Sequence, residues 1–482
     1  MSRPRKAAPA ALAAALLAAG LTPLVLAAPA ASAAPARFYD DFNGDGYRDL
    51  VTAAPSATVG GKARAGAVVV NYGSGSGISG SRHTVITQNT AGVPGTAEQG
   101  DEFGSALASG DLDRDGYADL VVGVPDENGE SGTAVVVRGG KNGLSGAWTV
   151  PDPAPSAHDD YGQSLAVGDF TGDGRADLAV GSTGKDVWIF RGGFTKASGA
   201  ASRFVLDTDL ETGAIYGAEA LSAADVNGDG TDDLVITGTY HPDDFTYDDG
   251  QLVYTGSAGP SPLTLQTVLR SGGYETAAVG DLNGDGYDDV IAAVPPGTGS
   301  ANLGGAVRAY LGSASGVRST PQTTITQDSP GVPGSDEKSD WFGHSLSVGD
   351  VNGDGHADVA VGAIYEAIGP DWQTGSVTVL RGSAAGLTGT GAQSFSQDTA
   401  GVPGSSEDND FFGSAVRLSD LNGDHKADLS VGAFGENDSD GAVWSLRGSA
   451  SGIRTTGAVS FGPATTGVPT TGYPGLGRLM SQ

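Results

Sequence analysis

Short apolar runs rich in Val, Ile, Leu and Ala recur from Leu50 onward, separated by turns of Gly, Asp, Asn and Ser. "DLVVGVP", "DLAVGS", "DVIAAVP" and "DVAVGA" form one set. A second set is "GTAVVVRGG", "KDVWIFRGG", "GAVRAYLGS", "GSVTVLRGS" and "GAVWSLRGS". Runs this short, bounded by turn residues and enriched in β-branched side chains, predict buried strands rather than helices. Upstream of the first set stands an aromatic residue followed by glycine: Phe103-Gly104, Tyr161-Gly162, Tyr216-Gly217, Phe342-Gly343 and Phe412-Gly413. Downstream of the second set comes a further strand, as in "HTVITQ" and "TTITQD". Four short strands per unit, repeated along the chain, predict an all-β fold: a seven-bladed β-propeller of four-stranded antiparallel blades.

The repeat is dated by an acidic nine-residue motif that begins at Asp41, Asp111, Asp169, Asp225, Asp281, Asp350 and Asp420. Its first, third, fifth and ninth side chains and its seventh backbone carbonyl offer oxygen to a cation. In the first copy these are Asp41, Asn43, Asp45 and Asp49 with Tyr47; in the second, Asp111, Asp113, Asp115 and Asp119 with Tyr117. The third has Asp169, Thr171, Asp173 and Asp177 with Arg175, and the fourth has Asp225, Asn227, Asp229 and Asp233 with Thr231. The fifth has Asp281, Asn283, Asp285 and Asp289 with Tyr287, and the sixth has Asp350, Asn352, Asp354 and Asp358 with His356. The seventh has Asp420, Asn422, Asp424 and Asp428 with Lys426.

Carboxylates a few ångströms apart disfavour one another's ionisation unless a cation lies among them. An all-oxygen set of this kind suits Ca²⁺ before Mg²⁺. An EF-hand would need a Glu at the twelfth position and flanking helices, whereas the second copy has Val122 there within a strand-forming run. A β-hairpin calcium loop is therefore expected at up to seven sites. The third and seventh are expected to be weakest, because Thr171 is a poorer ligand and His425 occupies a turn position that favours glycine.

The Phe-Gly pairs, elements such as Gly123-Val124-Pro125, and the Asp-rich loop between them resemble FG-GAP repeats. The resemblance spans nearly all of the chain after residue 33. It implies the propeller found at the N-terminus of integrin α chains and in secreted bacterial proteins, together with calcium sites; it implies no particular partner. The first unit lacks an upstream Phe-Gly strand, while "TTGYPGLGRLMSQ" at the end offers Leu476-Gly477 in its place. Residues around Gly472 to Gln482 are thus expected to pair into the first blade and close the ring, removing two sheet edges.

Composition sets the compartment. A basic stretch, an apolar run from Ala10 to Ala28 and Ala31-Ser32-Ala33 read as a signal peptide over 1–33, with the propeller over 34–482. Export is expected, and no other stretch is long and apolar enough to enter a membrane. There are no cysteines, so no disulfide braces a secreted chain. Acidic residues number 57 against 26 basic, a net charge of −31 that disfavours nucleic acid. Calcium would offset part of that charge and add its binding free energy to folding.

Catalytic signals are weak, and the chain is read as a non-enzyme. "GHSLS" at 343–347 resembles a nucleophile elbow but aligns with blade sequence such as "GQSLA". The six histidines form no zinc spacing. Candidate binding surfaces are three acidic linkers, "GVPGTAEQGDEFG", "GVPGSDEKSDWFG" and "GVPGSSEDNDFFG", with loops carrying Tyr240, His241, Phe245, Tyr247, Tyr365, Asp371 and Trp372. The expected role is a secreted, calcium-binding adhesion module for an extracellular protein or glycan. A calcium-dependent lectin, or a hydrolase or lyase acting on polysaccharide or ester, is the alternative.

Overall fold

The computed structural model describes residues 36–195, 200, 202–213, 216–243, 246–272, 277–297 and 303–481. The expected signal peptide and Phe245 lie outside the described residues.

Residues from 36 onward form seven antiparallel sheets of four strands each. Blades 2 to 7 each use four consecutive strands; in blade 2 these are Ala106–Gly110, Asp119–Val124, Thr133–Val137 and Ala147–Val150, from innermost to outermost. Their register places Ala108 opposite Val121, Val121 opposite Val136, and Val136 opposite Trp148. The innermost strands surround a central cavity of about 910 Å³, to which all seven blades contribute.

Second strands such as Leu50–Ala54 and Asp119–Val124 are buried along their whole length because a neighbouring sheet covers each face, which is why their sequences run apolar without alternation. Outer strands face solvent on one side and alternate, as Ser202–Asp207 does. The core therefore lies between blades. Phe103 from the start of blade 2 sits fully buried with Val51 and Val68 of blade 1, and Phe412 of blade 7 sits with Val377 and Val379 of blade 6. This burial explains the recurring aromatic before glycine.

Blade 1 joins the two ends of the chain. Leu479–Met480 forms its innermost strand, beside Leu50–Ala54, Ala67–Asn71 and His83–Ile86. Thr52 pairs with Met480 and Ala53 with Leu479, while Gly477 N–H donates to the Ala53 carbonyl at 3.1 Å. Leu476 is buried at the same blade junction as expected from its alignment with Phe103. A polar clasp adds to the closure: Arg417 donates to the Tyr39 hydroxyl at 2.6 Å, and buried Asp40 lies 2.8 Å from Arg48 and 3.8 Å from Arg417.

Candidate metal centre

The nine-residue motif connects the innermost strand to the second in blades 2 to 7 and leads into the second strand, Leu50–Ala54, in blade 1, so all seven loops lie on one face of the ring. Each loop is held by its own backbone. Asp41 accepts the N–H of Asp45 at 3.2 Å on one oxygen and that of Gly46 at 2.9 Å on the other. The same pair of bonds forms at Asp111, Asp169, Asp225, Asp281, Asp350 and Asp420. The fifth-position aspartates, Asp45, Asp115, Asp173, Asp229, Asp285, Asp354 and Asp424, each accept the N–H of the seventh residue. Those donors are Tyr47, Tyr117, Arg175, Thr231, Tyr287, His356 and Lys426. Asn43, Asn227, Asn283, Asn352 and Asn422 accept the fifth-position N–H through their amide oxygens.

The ninth-position aspartates are buried and carry a second task. Asp49 accepts N–H groups from Phe42 at 3.0 Å and Gly73 at 2.9 Å, tying the loop to the glycine that ends the third strand. Asp119, Asp177, Asp233, Asp289, Asp358 and Asp428 hold Gly139, Gly192, Gly256, Gly312, Gly382 and Gly448 in the same way. Two loops vary the clamp: Asp177 takes its second N–H from Thr171, and Asp428 takes the side-chain amide of Asn422. The glycine partners escaped the sequence reading, although every third-strand segment ends in one.

Electrostatics in these loops favour a cation. Burial, reinforced by Asp41 and Asp45, pushes the Asp49 carboxyl up to about 8 against the N–H bonds that oppose it. Asp119 is likewise pushed up to about 8, Asp233 and Asp289 to about 7, and Asp177 and Asp428 to about 6. In the second loop, oxygens of Asp111, Asp113 and Asp115 lie within 4.8 Å of one another. The donor set fits a hard divalent cation, which would replace proton binding at these groups.

Neighbouring loops also touch. The carbonyls of Asp41, Asp169, Asp225, Asp281 and Asp350 accept the eighth-position N–H of the following loop, at 2.8–3.0 Å. A side chain from the seventh position covers the fourth-position glycine next door: Tyr117 over Gly44, Tyr287 over Gly228, His356 over Gly284. That glycine has positive φ in six loops, and Arg114 takes its place in the second with φ of 56°. His425 adopts φ of 64°, the left-handed geometry expected of it.

On the opposite face, the acidic linkers turn inward. Asp101, Asp340 and Asp410 are buried, so these linkers are blade junctions as well as surface. Exposed aromatics come from other loops: Trp372 is 55 % exposed. Tyr365 stands 5.8 Å from the Trp341 ring and 5.9 Å from Phe411, which stacks on Phe434 at 4.8 Å. Asp371 pairs with Ile368 in a short bridge. Tyr240 and Tyr247 lie on the paired strands Asp233–Asp243 and Thr246–Gly256, and His241 pairs with Glu211. "GHSLS" occupies the innermost strand Phe342–Gly349, with Ser345 donating to the Gly413 carbonyl at 2.6 Å. A strand of this kind lacks the strand-to-helix turn of a nucleophile elbow.

Comparison with known proteins follows the same units. The FG-GAP repeat model matches residues 39–70, 103–137, 342–380 and 412–446, and the FG-GAP-like repeat model matches 169–236 and 225–292. Together they include all seven loops. Integrin alpha pat-2 of Caenorhabditis elegans is 31 % identical over 243 residues, covering 46 % of this chain and 19 % of the relative. Integrin alpha-5 of Xenopus laevis is 32 % identical over 225 residues, covering 44 % and 20 %. The chain thus matches about a fifth of the length of these relatives. Among solved structures, Saccharomyces cerevisiae Sqt1 aligns over 75 % of both chains at 12 % identity with a TM-score of 0.39.

Proposed function

Because the chain is an FG-GAP repeat protein with an integrin-alpha-like seven-bladed propeller, we propose that it is a secreted, calcium-stabilised binding module for an extracellular protein or glycan. The seven aspartate loops serve as calcium sites on one face, leaving the other face for recognition. The observation that carries this division is the aromatic row Trp341, Tyr365, Phe411 and Phe434, spread across blades 6 and 7 on the face away from the loops, with Trp372 exposed beside it. Exposed aromatics on well-positioned loops are a common basis of protein and sugar contacts. Among the described residues no helix is long and apolar enough to cross a membrane. Export rests on the signal peptide read from residues 1–33.

The test is capture of the purified protein by an array of polysaccharides and extracellular proteins, with millimolar Ca²⁺ and with chelator, beside the Trp372→Ala variant. Calcium-dependent capture of one class, weakened at least tenfold by the substitution, supports the reading. Folded, calcium-loaded protein that captures nothing defeats it. Release of product from a polysaccharide or ester would favour the enzymatic alternative.

A further inference from the structure

A second set of oxygen clusters lies on the face away from the aspartate loops. At three blade junctions the chain repeats one spacing: Gln88 with Glu98, Asp101 and Glu127; Gln327 with Glu337, Asp340 and Glu366; Gln397 with Glu407, Asp410 and Glu436. The first three members of each set come from the linker that leaves one blade, and the fourth from the turn after the second strand of the next. Each glutamine amide donates to the fourth-member glutamate across the junction. Each aspartate accepts the N–H of the glutamate three residues before it, at 2.6, 2.9 and 2.7 Å.

Two independent observations separate these clusters from ordinary solvated acids. Gln88, Gln327 and Gln397 are all at most 3 % exposed, and in all three the amide oxygen Oε1 has no partner although the amide lies against the carboxylates. A buried acceptor left without a donor is costly, and its recurrence at three equivalent positions points to a missing electrophile. The junction between blades 2 and 3 supplies the comparison. There Asp152 occupies the glutamine position, two residues beyond the outermost strand, and the buried imidazole of His158 sits 3.3 Å from Asp152 and 3.2 Å from Asp186. One junction thus places an imidazole between two acids. Among the described residues, no Lys, Arg or His forms an ion pair with the acids of the three glutamine clusters.

We infer that these three junctions each bind a hard divalent cation, Ca²⁺ by its all-oxygen donor set, through the buried aspartate, the glutamate of the following blade and the glutamine amide oxygen, the amide turning to exchange its hydrogen bond to the glutamate for the ion. The sites join blades 1 to 2, 5 to 6 and 6 to 7, and are separate from the aspartate loops. Water completes the coordination.

Native mass spectrometry of the calcium-saturated protein, beside an Asp101→Asn, Asp340→Asn and Asp410→Asn triple variant, counts the ions directly. The wild type is expected to carry three more than the triple variant, and Asp410→Asn alone to lose one. An equal count in variants with wild-type near-ultraviolet circular dichroism overturns the inference. Should the variants fail to fold, terbium-soaked crystals of the wild type decide. Anomalous peaks at the three glutamines support the sites; peaks confined to the aspartate loops overturn them and leave protons and water among these acids.

Discussion

Tyr47, in the first aspartate loop, lies over Gly423 in the last: a β-carbon on Gly423 would meet its Cε1 at 3.0 Å. The contact joins blade 1 to blade 7 in the manner that Tyr117 joins blade 2 to blade 1 over Gly44. Contacts of this kind run in series from the third loop through the seventh and on to the first and second, so disturbing one loop is felt by its neighbour.

Gly44→Ala tests that coupling. The new methyl would lie 2.6 Å from Tyr117 Cε1 at a position with φ of 68°, combining left-handed strain with overpacking. A loss of about 2 kcal/mol or more is expected, read from denaturant midpoints. Gly44→Ala with Tyr117→Ala should recover the part due to the clash, and a double-mutant cycle measures it.

Positive φ at non-glycine residues gives the opposite expectation. Arg114 and His425 occupy turn positions that are glycine in most other loops. Arg114→Gly and His425→Gly should each stabilise the calcium-loaded protein by about 1 kcal/mol, seen as a higher midpoint in thermal unfolding. No change at either position would mean that their side chains offset the backbone cost.

Removing the strand that closes the ring should be severe. A chain ending before Gly472 strips Thr52 and Ala53 of their inner-edge partners, leaving only Val69 and Val68 beside them, and uncovers the junction that Leu476 fills. The truncated protein is expected to unfold at least about 10 °C lower, a shift that corresponds to several kcal/mol in a domain this large, with increased aggregation at the open edge. Circular dichroism and light scattering during heating measure both.

Much of this arrangement was legible in sequence because each unit repeats the same three signals: aromatic-glycine, acidic loop and apolar run. Strand types, blade number and the closing role of Leu476-Gly477 followed from that repetition. The clamp from Asp49 to Gly73 was not legible, since it links positions 24 residues apart whose pairing depends on strand register. Nor was the inward turn of Asp101, Asp340 and Asp410: an acidic linker reads as solvated unless a partner such as Gln88, Gln327 or Gln397 is known to sit beneath it.

The loop carboxyls set a pH dependence. Their folded-state values, about 6 to 8 for the ninth-position aspartates other than Asp358, lie above the unfolded value near 3.9. The folded chain without metal therefore binds more protons between about pH 4 and pH 8, and its stability falls as pH rises through that window. Denaturant midpoints in chelator should decline from pH 5 to pH 8. Stabilisation by calcium should grow over the same range, because the ion replaces those protons. A flat profile in chelator would contradict the burial seen at Asp49 and Asp119.

Blades 2 to 7 each complete their sheets from contiguous sequence, whereas the first sheet waits for Leu479 and Met480. During synthesis the first strands to emerge are thus the last to be satisfied, and Leu50–Ala54 presents an unsaturated edge to everything translated after it. The ring cannot lock until Leu479 and Met480 have left the ribosome. Its cooperative assembly accordingly waits for those residues, and the edge of Leu50–Ala54 stays open to mispairing until they arrive.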